Sequence, residues 1–187
     1  MLEKAGMKSA GTTVVIQGFG NAGATMAKLL HKLGFKIVAL SDSKGGIYNE
    51  SGLDPLAVEQ AKEKTGALPT DGNKKITNAE LLELAVDVLV PAALENQITK
   101  DNAGNIKAKI IVELANGPTT PEADEILFRN GVKLVPDVLS NAGGVTVSYF
   151  EQVQNASNYY WTEVEVLAKL KLIMDSSFES VWEIRNK

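Results

Sequence analysis

The stretch "TVVIQGFGNAGATMAKLLHKLG", Thr13 to Gly34, decides the fold. A β-like apolar run, Thr13 to Gln17, passes through a glycine-rich turn into a helical pattern. In that pattern Ala24, Ala27, Leu30 and Leu33 recur about one helical turn apart. Gly18, Gly20 and Gly23 therefore follow a strand and open a helix, the context that a phosphate cradle requires. Gly18 permits the tight turn, Gly20 lets backbone approach a pyrophosphate, and Gly23 lets helix and strand pack closely. Phe19, Asn21 and Ala22 complete the loop, and the helix entrance supplies N–H groups and the positive end of a dipole. The plain alternative is a glycine turn demanded only by packing.

The next strand strengthens the cradle. "KIVALS", residues 36–41, is continuous enough for a strand buried on both faces. It runs into Asp42, about 20 residues past the last glycine, where a carboxylate bonds a ribose 2′-hydroxyl. Asp42 favours NAD and repels a 2′-phosphate. Ser41, Ser43 and Lys44 flank it and offer two hydroxyls and an ammonium to NADP. The cofactor is thus NAD or NADP, with NAD slightly favoured, and the plain role of Lys44 is a solvated loop lysine.

The remaining chain repeats the alternation. In "GLDPLAVEQAKEKTG" Asp54 is the expected N-cap, Pro55 the first helical residue and Gly66 the terminator. "TNAELLELAVDVLVPA" reads as a helix capped by Asn78 and then a strand at 87–90. A strand at 109–115, a helix at 120–131 capped by Thr120 and closed by Gly131, and a strand at 133–136 come next. A long helical tail starts near residue 161, and "TGALPTDGNKKIT", 65–77, reads as a polar loop. The predicted fold class is α/β: a Rossmann-like NAD(P)-binding domain with a mostly parallel twisted sheet flanked by helices. We read residues 1–187 as one domain, with its core at about 12–151 and a C-terminal helical segment at 152–187.

Composition sets limits on partners. The 187 residues carry a net charge of −4, so neither nucleic acid nor an anionic membrane is expected as partner. No apolar run has the roughly 18–20 residues of a membrane span. Zero cysteines exclude disulfides, a single histidine excludes a multi-histidine metal site, and the expectation is a cytoplasmic protein without a metal. That histidine, His31, reads as solvent-facing. Both edges read as cut, the tail ending in "FESVWEIRNK" without a stop. Val164, Leu167, Leu170 and Val181 on the tail are expected to be exposed and to invite association.

"ELANGPTTPEAD" (113–124) and "PDVLSNAGGVTVSYFE" (136–151), with "QGFGNAG", "SDSKGGIYN" and "VPAALENQIT", carry a resemblance over nearly the whole chain. They resemble the cofactor-binding domain of the glutamate/leucine/phenylalanine/valine dehydrogenase family, in its glutamate branch. The resemblance implies a Rossmann-like sheet with one strand reversed. It also implies oxidative deamination of L-glutamate to 2-oxoglutarate and ammonium with NAD or NADP, in a homo-oligomer that is a hexamer in this family.

The resemblance makes Asn116 a ligand of the nicotinamide ribose or carboxamide and Asn141 a nicotinamide contact. Either could be a helix cap on its residue type alone. Ala92 and Ala93 follow a strand and are small where a side chain would obstruct a cofactor; plain strand-end packing stays open for them. By resemblance Ser148 bonds the substrate's side-chain carboxylate and Val145 lines the pocket, which favours glutamate over branched or aromatic amino acids. A plain reading of Ser148 is a solvated or capping hydroxyl.

The chain departs from the family pattern at Ala22, where valine is common, and at Gln152, where tryptophan is common. The family's catalytic lysine and aspartate belong to an N-terminal domain with no counterpart here, so no catalytic residue is assigned and the chain alone is expected to be inactive. Two other readings are a stand-alone dinucleotide-binding regulatory module and a different amino-acid dehydrogenase of the same family.

Overall fold

In a computed structural model of the chain, residues 1–185 are described. The last two residues of the expected helical segment lie outside them. The chain divides into two compact units, Met1–Val135 and the residues from Pro136 onward. The boundary expected from sequence lies later, near residue 151.

The first unit is a seven-stranded sheet in the order β4-β3-β2-β1-β5-β6-β7. Its strands are β1 (Thr13–Gln17), β2 (Lys36–Asp42), β3 (Gly45–Tyr48), β4 (Lys74–Ile76), β5 (Val88–Pro91), β6 (Ile110–Val112) and β7 (Lys133–Val135). The helices between them are α1 (Asn21–Lys32), α2 (Pro55–Thr65), α3 (Asn78–Leu82) and α4 (Pro121–Arg129). β1 pairs in parallel with both β2 and β5, and the parallel pairing continues through β6 to β7. β3 runs antiparallel to β2 and to β4, so it is the one reversed strand.

Period-2 alternation puts β1 into two cores. Val15 packs with Val38, Leu89 and Ile111 on one face, while Val14 and Ile16 pack with Ile37, Leu40 and Ala27 on the other. Two apolar faces explain why the parallel strands read as unbroken apolar runs.

Local chemistry sets the helix ends. Asp54 accepts from the N–H groups of Leu56 and Ala57, Pro55 opens α2, and Gly66 closes it at φ 71°. Thr120 caps α4 by accepting from Ala123. α3 corrects the expectation for its cap. Thr77, not Asn78, accepts the N–H of Glu80, and the Glu80 carboxylate accepts the N–H of Thr77 in return. Residues 74–76 of the expected polar loop form β4, an edge strand with both lysines exposed. β6 covers Ile110–Val112, shorter than the expected 109–115, and past it the N–H groups of Leu114 and Ala115 both donate to the carbonyl of Pro91.

The second unit holds α5 (Asp137–Ser140), α6 (Ala142–Ser157) and α7 (Glu163–Arg185). Asn158, at φ 50°, ends α6 in a left-handed turn. Trp161 then meets Phe150 edge to face at 5.5 Å, with the ammonium of Lys169 4.6 Å from the Trp161 ring centre. Thr162 and Glu165 form the capping box of α7. Val164 and Leu167 are exposed as expected, whereas Leu170 and Val181 are half-buried. Among the described residues no helix is long and apolar enough to cross a membrane.

Candidate functional site

The glycine loop leaves the carboxyl end of β1 at the point where strand order reverses, since β2 and β5 flank β1 on opposite sides. Open α/β sheets bind ligands in that crevice. Each glycine has a different physical reason. Gly18 has φ +98°, and a Cβ there would lie 2.7 Å from the carbonyl oxygen of Ala92. A Cβ on Gly23 would lie 1.9 Å from the carbonyl oxygen of Gly18. Both are thus required by the chain's own packing. Gly20 is not: its φ of −94° suits any residue, and a Cβ there would meet no protein atom within 4 Å. A glycine kept open at a helix entrance suits the close approach of a ligand, so the loop fits a dinucleotide pyrophosphate.

Hydrogen bonds fix the loop from below. The N–H groups of Gly18 and Phe19 both donate to the carbonyl of Ser41, at 3.0 and 2.6 Å. The hydroxyl of Ser41 is fully buried and donates to Asn78 Oδ1 at 2.6 Å, which removes it as a phosphate donor. Asn78 Nδ2 donates to the carbonyl of Asp42 at 2.9 Å. Asn78 therefore clamps the end of β2, a role that its place in the sequence next to a cap conceals. Asn21 and Ala22 are exposed on the first turn of α1, and the side chain of Phe19 is buried.

Asp42 stands at the expected place at the end of β2. Its Oδ1 accepts the N–H of Lys44 at 2.9 Å, and its Oδ2 is 3.0 Å from the ammonium of Lys62 on α2. Burial pushes its pKa up, but the Lys44 N–H bond and the Lys62 ammonium outweigh that and hold it below the ordinary carboxylate value. The Asp42 carboxylate is therefore ionised near neutrality. Ser43 is exposed, and the ammonium of Lys44 donates to the carbonyl of Gly66 at 2.9 Å, at the end of α2. Lys62 is the residue that sequence reasoning missed. It also donates to the carbonyl of Phe19 at 3.0 Å, which joins the glycine loop to Asp42. A cation in the last turn of a helix is ordinary dipole chemistry, so the sequence held no separate signal for it.

Ala92 and Ala93 border the same crevice from the end of β5, Ala92 half-buried and Ala93 exposed. Asn116 is exposed beyond β6 and caps no helix, since Thr120 caps α4. In the second unit Asn141 occupies the N-cap position of α6, yet its side chain makes no capping bond to that helix. Val145 is 70% exposed, and the exposed Ser148 hydroxyl donates back to the carbonyl of Gly144 at 3.1 Å. His31 is exposed, as expected. Asp124 lies in the first turn of α4, and Glu125 pairs with Arg129 one turn on.

The family model for glutamate/leucine/phenylalanine/valine dehydrogenase matches residues 1–187. The chain belongs to that family. It is 52% identical over 184 residues to the cryptic catabolic NAD-specific glutamate dehydrogenase GudB of Bacillus subtilis, covering 98% of this chain and 43% of that protein. It is also 52% identical, over 194 residues, to an NADP-specific glutamate dehydrogenase of Synechocystis, covering 98% of this chain and 45% of that protein. The hetero-hexameric glutamate dehydrogenase of Thermus thermophilus, in its leucine-bound form, superposes with a TM-score of 0.91. That match is at 35% identity and covers 97% of this chain and 43% of the other. The chain thus spans less than half the length of the curated relatives it matches. Its α/β fold, with one mostly parallel sheet flanked by helices, is the fold of those solved enzymes.

Proposed function

We propose that the chain is the dinucleotide-binding domain of a glutamate dehydrogenase, which oxidatively deaminates L-glutamate to 2-oxoglutarate and ammonium. The observation that carries this reading is Gly20, open in conformation and in space, beside an ionised Asp42 at the switch point of the sheet. Gly20, Asn21, Ala22 and Gly23 would hold the pyrophosphate through backbone N–H groups, Gly18 and Phe19 would shape the turn beneath it with their own N–H groups on the Ser41 carbonyl, and Asp42 would accept the adenosine ribose hydroxyls. Ala92, Ala93, Asn116 and Asn141 would serve the nicotinamide half. NAD or NADP, when bound, supplies the hydride acceptor; the protein supplies placement.

Ser148 and Val145 are the substrate-facing residues of this reading. They lie one helical turn apart on α6 and are both exposed. Ser148 already donates its proton to the Gly144 carbonyl, and its rotation toward a carboxylate would exchange one acceptor for another. The acid–base groups would come from the part of the relatives that this chain does not span. We therefore expect the chain alone to bind cofactor and to oxidise no glutamate.

Calorimetric titration with NADH and NADPH tests the cradle, with Gly20→Ala and Asp42→Ala as variants. Gly20→Ala is expected to unfold like the parent and to bind at least roughly tenfold more weakly. Asp42→Ala is expected to lose NADH binding. Parent binding that survives Gly20→Ala unchanged would falsify the assignment of the loop.

A further inference from the structure

A buried pair of amides joins the glycine loop to the loop of Asn116, and the core has no need of it. Gln17, the last residue of β1, is 1% exposed and directly precedes Gly18. By the alternation of β1 it shares a face with Val15, whose core neighbours are all apolar. Its Nε2 donates to Gln97 Oε1 at 2.8 Å, across 80 positions of sequence. Gln97 Nε2 in turn donates to the carbonyl of Glu95 at 3.0 Å, which fixes which way round the Gln97 amide lies. Gln17 must then present its own Nε2, and its Oε1 is left buried without a partner among the described residues. An unpaired buried acceptor is destabilising, whereas apolar replacement of both partners is close to neutral. Stability therefore does not account for Gln17.

The pair holds the loop of Asn116. There the residues after β5 run beside the residues after β6. The N–H of Asn96 donates to the carbonyl of Gly117 at 2.9 Å, and those of Gln97 and Ile98 donate to the carbonyl of Pro118 at 2.8 Å each. Asn96 enters this pairing at φ 54°, in the left-handed region that residues other than glycine seldom adopt. On the other side of Asn116, the N–H groups of Leu114 and Ala115 donate to the Pro91 carbonyl at 3.0 Å. Asn116 is thus slung between two anchors, both on the segment 91–98. Gln17 holds that segment twice, by its carbonyl on the N–H of Ala92 at 2.7 Å and by its side chain on Gln97.

We infer that Gln17 and Gln97 are positioning residues: their buried amide bond fixes the Asn116 loop relative to the glycine loop, so that one dinucleotide meets both. The inference rests on the proposed dinucleotide function and extends it to residues that act through Asn116. A misplacement of about 1 Å is enough to lose an oriented contact.

The test is calorimetric titration of the 187-residue chain with NADH and with ADP-ribose, which has the pyrophosphate and both riboses but no nicotinamide. It is repeated on Gln97→Leu, Gln17→Leu, the double variant, Asn116→Ala, and Asn116→Ala combined with Gln97→Leu, with thermal unfolding of each. The parent is expected to bind NADH more tightly than ADP-ribose. Gln97→Leu should weaken NADH roughly fivefold or more while ADP-ribose changes less than about twofold. Adding Gln17→Leu or Asn116→Ala to Gln97→Leu should cost little more, because residues acting as a unit are not additive. The unfolding midpoint of the Gln17/Gln97 double variant should stay level or rise, which a merely structural tie would not allow. Should Gln17→Leu alone fail to fold, the Gln97→Leu and Asn116→Ala cycle decides. Equal losses for both ligands, no loss of NADH, or additive losses in that cycle would overturn the inference, as would a parent that binds both ligands equally. A folded parent that binds neither ligand would overturn the functional reading itself, and this inference with it.

Discussion

Two glycine-bearing helix entrances in this chain are built in opposite ways. In the first unit the loop into α1 is fixed by the chain's own atoms. Gly23 is pressed against Gly18, Gly18 against Ala92, and two N–H groups converge on the Ser41 carbonyl. In the second unit the first turn of α6 carries Gly143 and Gly144 with almost nothing around them. A Cβ on Gly143 would meet Leu170 Cδ1 at 4.0 Å, and one on Gly144 would meet no atom within that range. The hydroxyls of Thr146 and Ser148 fold back on carbonyls four residues earlier. The loop is held rigid by its own contacts, with one open glycine at its centre. The α6 turn is open throughout, and its glycines have no reason in the chain's own packing.

The largest expected effect is at Gly23. A methyl group there overlaps the Gly18 carbonyl, so Gly23→Ala should cost about 3 kcal/mol or more, or prevent folding. Chemical denaturation measures it, and a cost under about 1 kcal/mol would break the claim that the loop is rigid.

A smaller effect tests the other end of β1. Asp87 accepts from the N–H and hydroxyl of Thr13 at 2.9 Å each and meets the Lys109 ammonium at 2.7 Å. Burial pushes its pKa up, but the Lys109 and Thr13 bonds outweigh it and leave the pKa below the ordinary carboxylate value. A depressed folded pKa means stability that is fully present above the unfolded value of about 4. That stability is lost as pH falls through the lower, folded value. Asp87→Asn should cost roughly 1–2 kcal/mol at neutral pH and flatten the acid limb of a stability–pH curve. An unchanged acid limb would show that Asp87 does not anchor β1 electrostatically.

The smallest effect sharpens the contrast between the entrances. Gly144→Ala should leave stability unchanged or raise it by up to about 1 kcal/mol, because alanine favours helix and meets no atom. If the same variant lowers stability, the α6 turn is packed after all and the comparison fails.

What the sequence determined by itself was the arrangement set by near neighbours. The strand–glycine–helix unit at 13–32, the Asp54-Pro55 entrance and Gly66 exit of α2, and the Thr120 cap of α4 each depend on a few consecutive residues. Gly18, Gly20 and Gly23 were legible as a strand-to-helix turn because the motif, the preceding strand and Asp42 lie in one short segment. Their separate reasons were not, since those depend on where Ala92 and the Gly18 carbonyl come to rest.

Only tertiary structure decided the rest. β3 and β4 are short, β4 with both its lysines exposed, and they are strands because β2 offers an edge to β3 and β3 in turn offers one to β4. Asn78 reads as a cap because asparagine often is one. The neighbouring Thr77 takes the cap instead, and Asn78 is left to hold Ser41 and Asp42. Lys62 could not be assigned from spacing, because its meeting with Asp42 depends on how α2 packs over the end of β2. Side chains far apart in the chain acquire a joint function through distance in space, and an ion pair gains strength as packing removes the water around it.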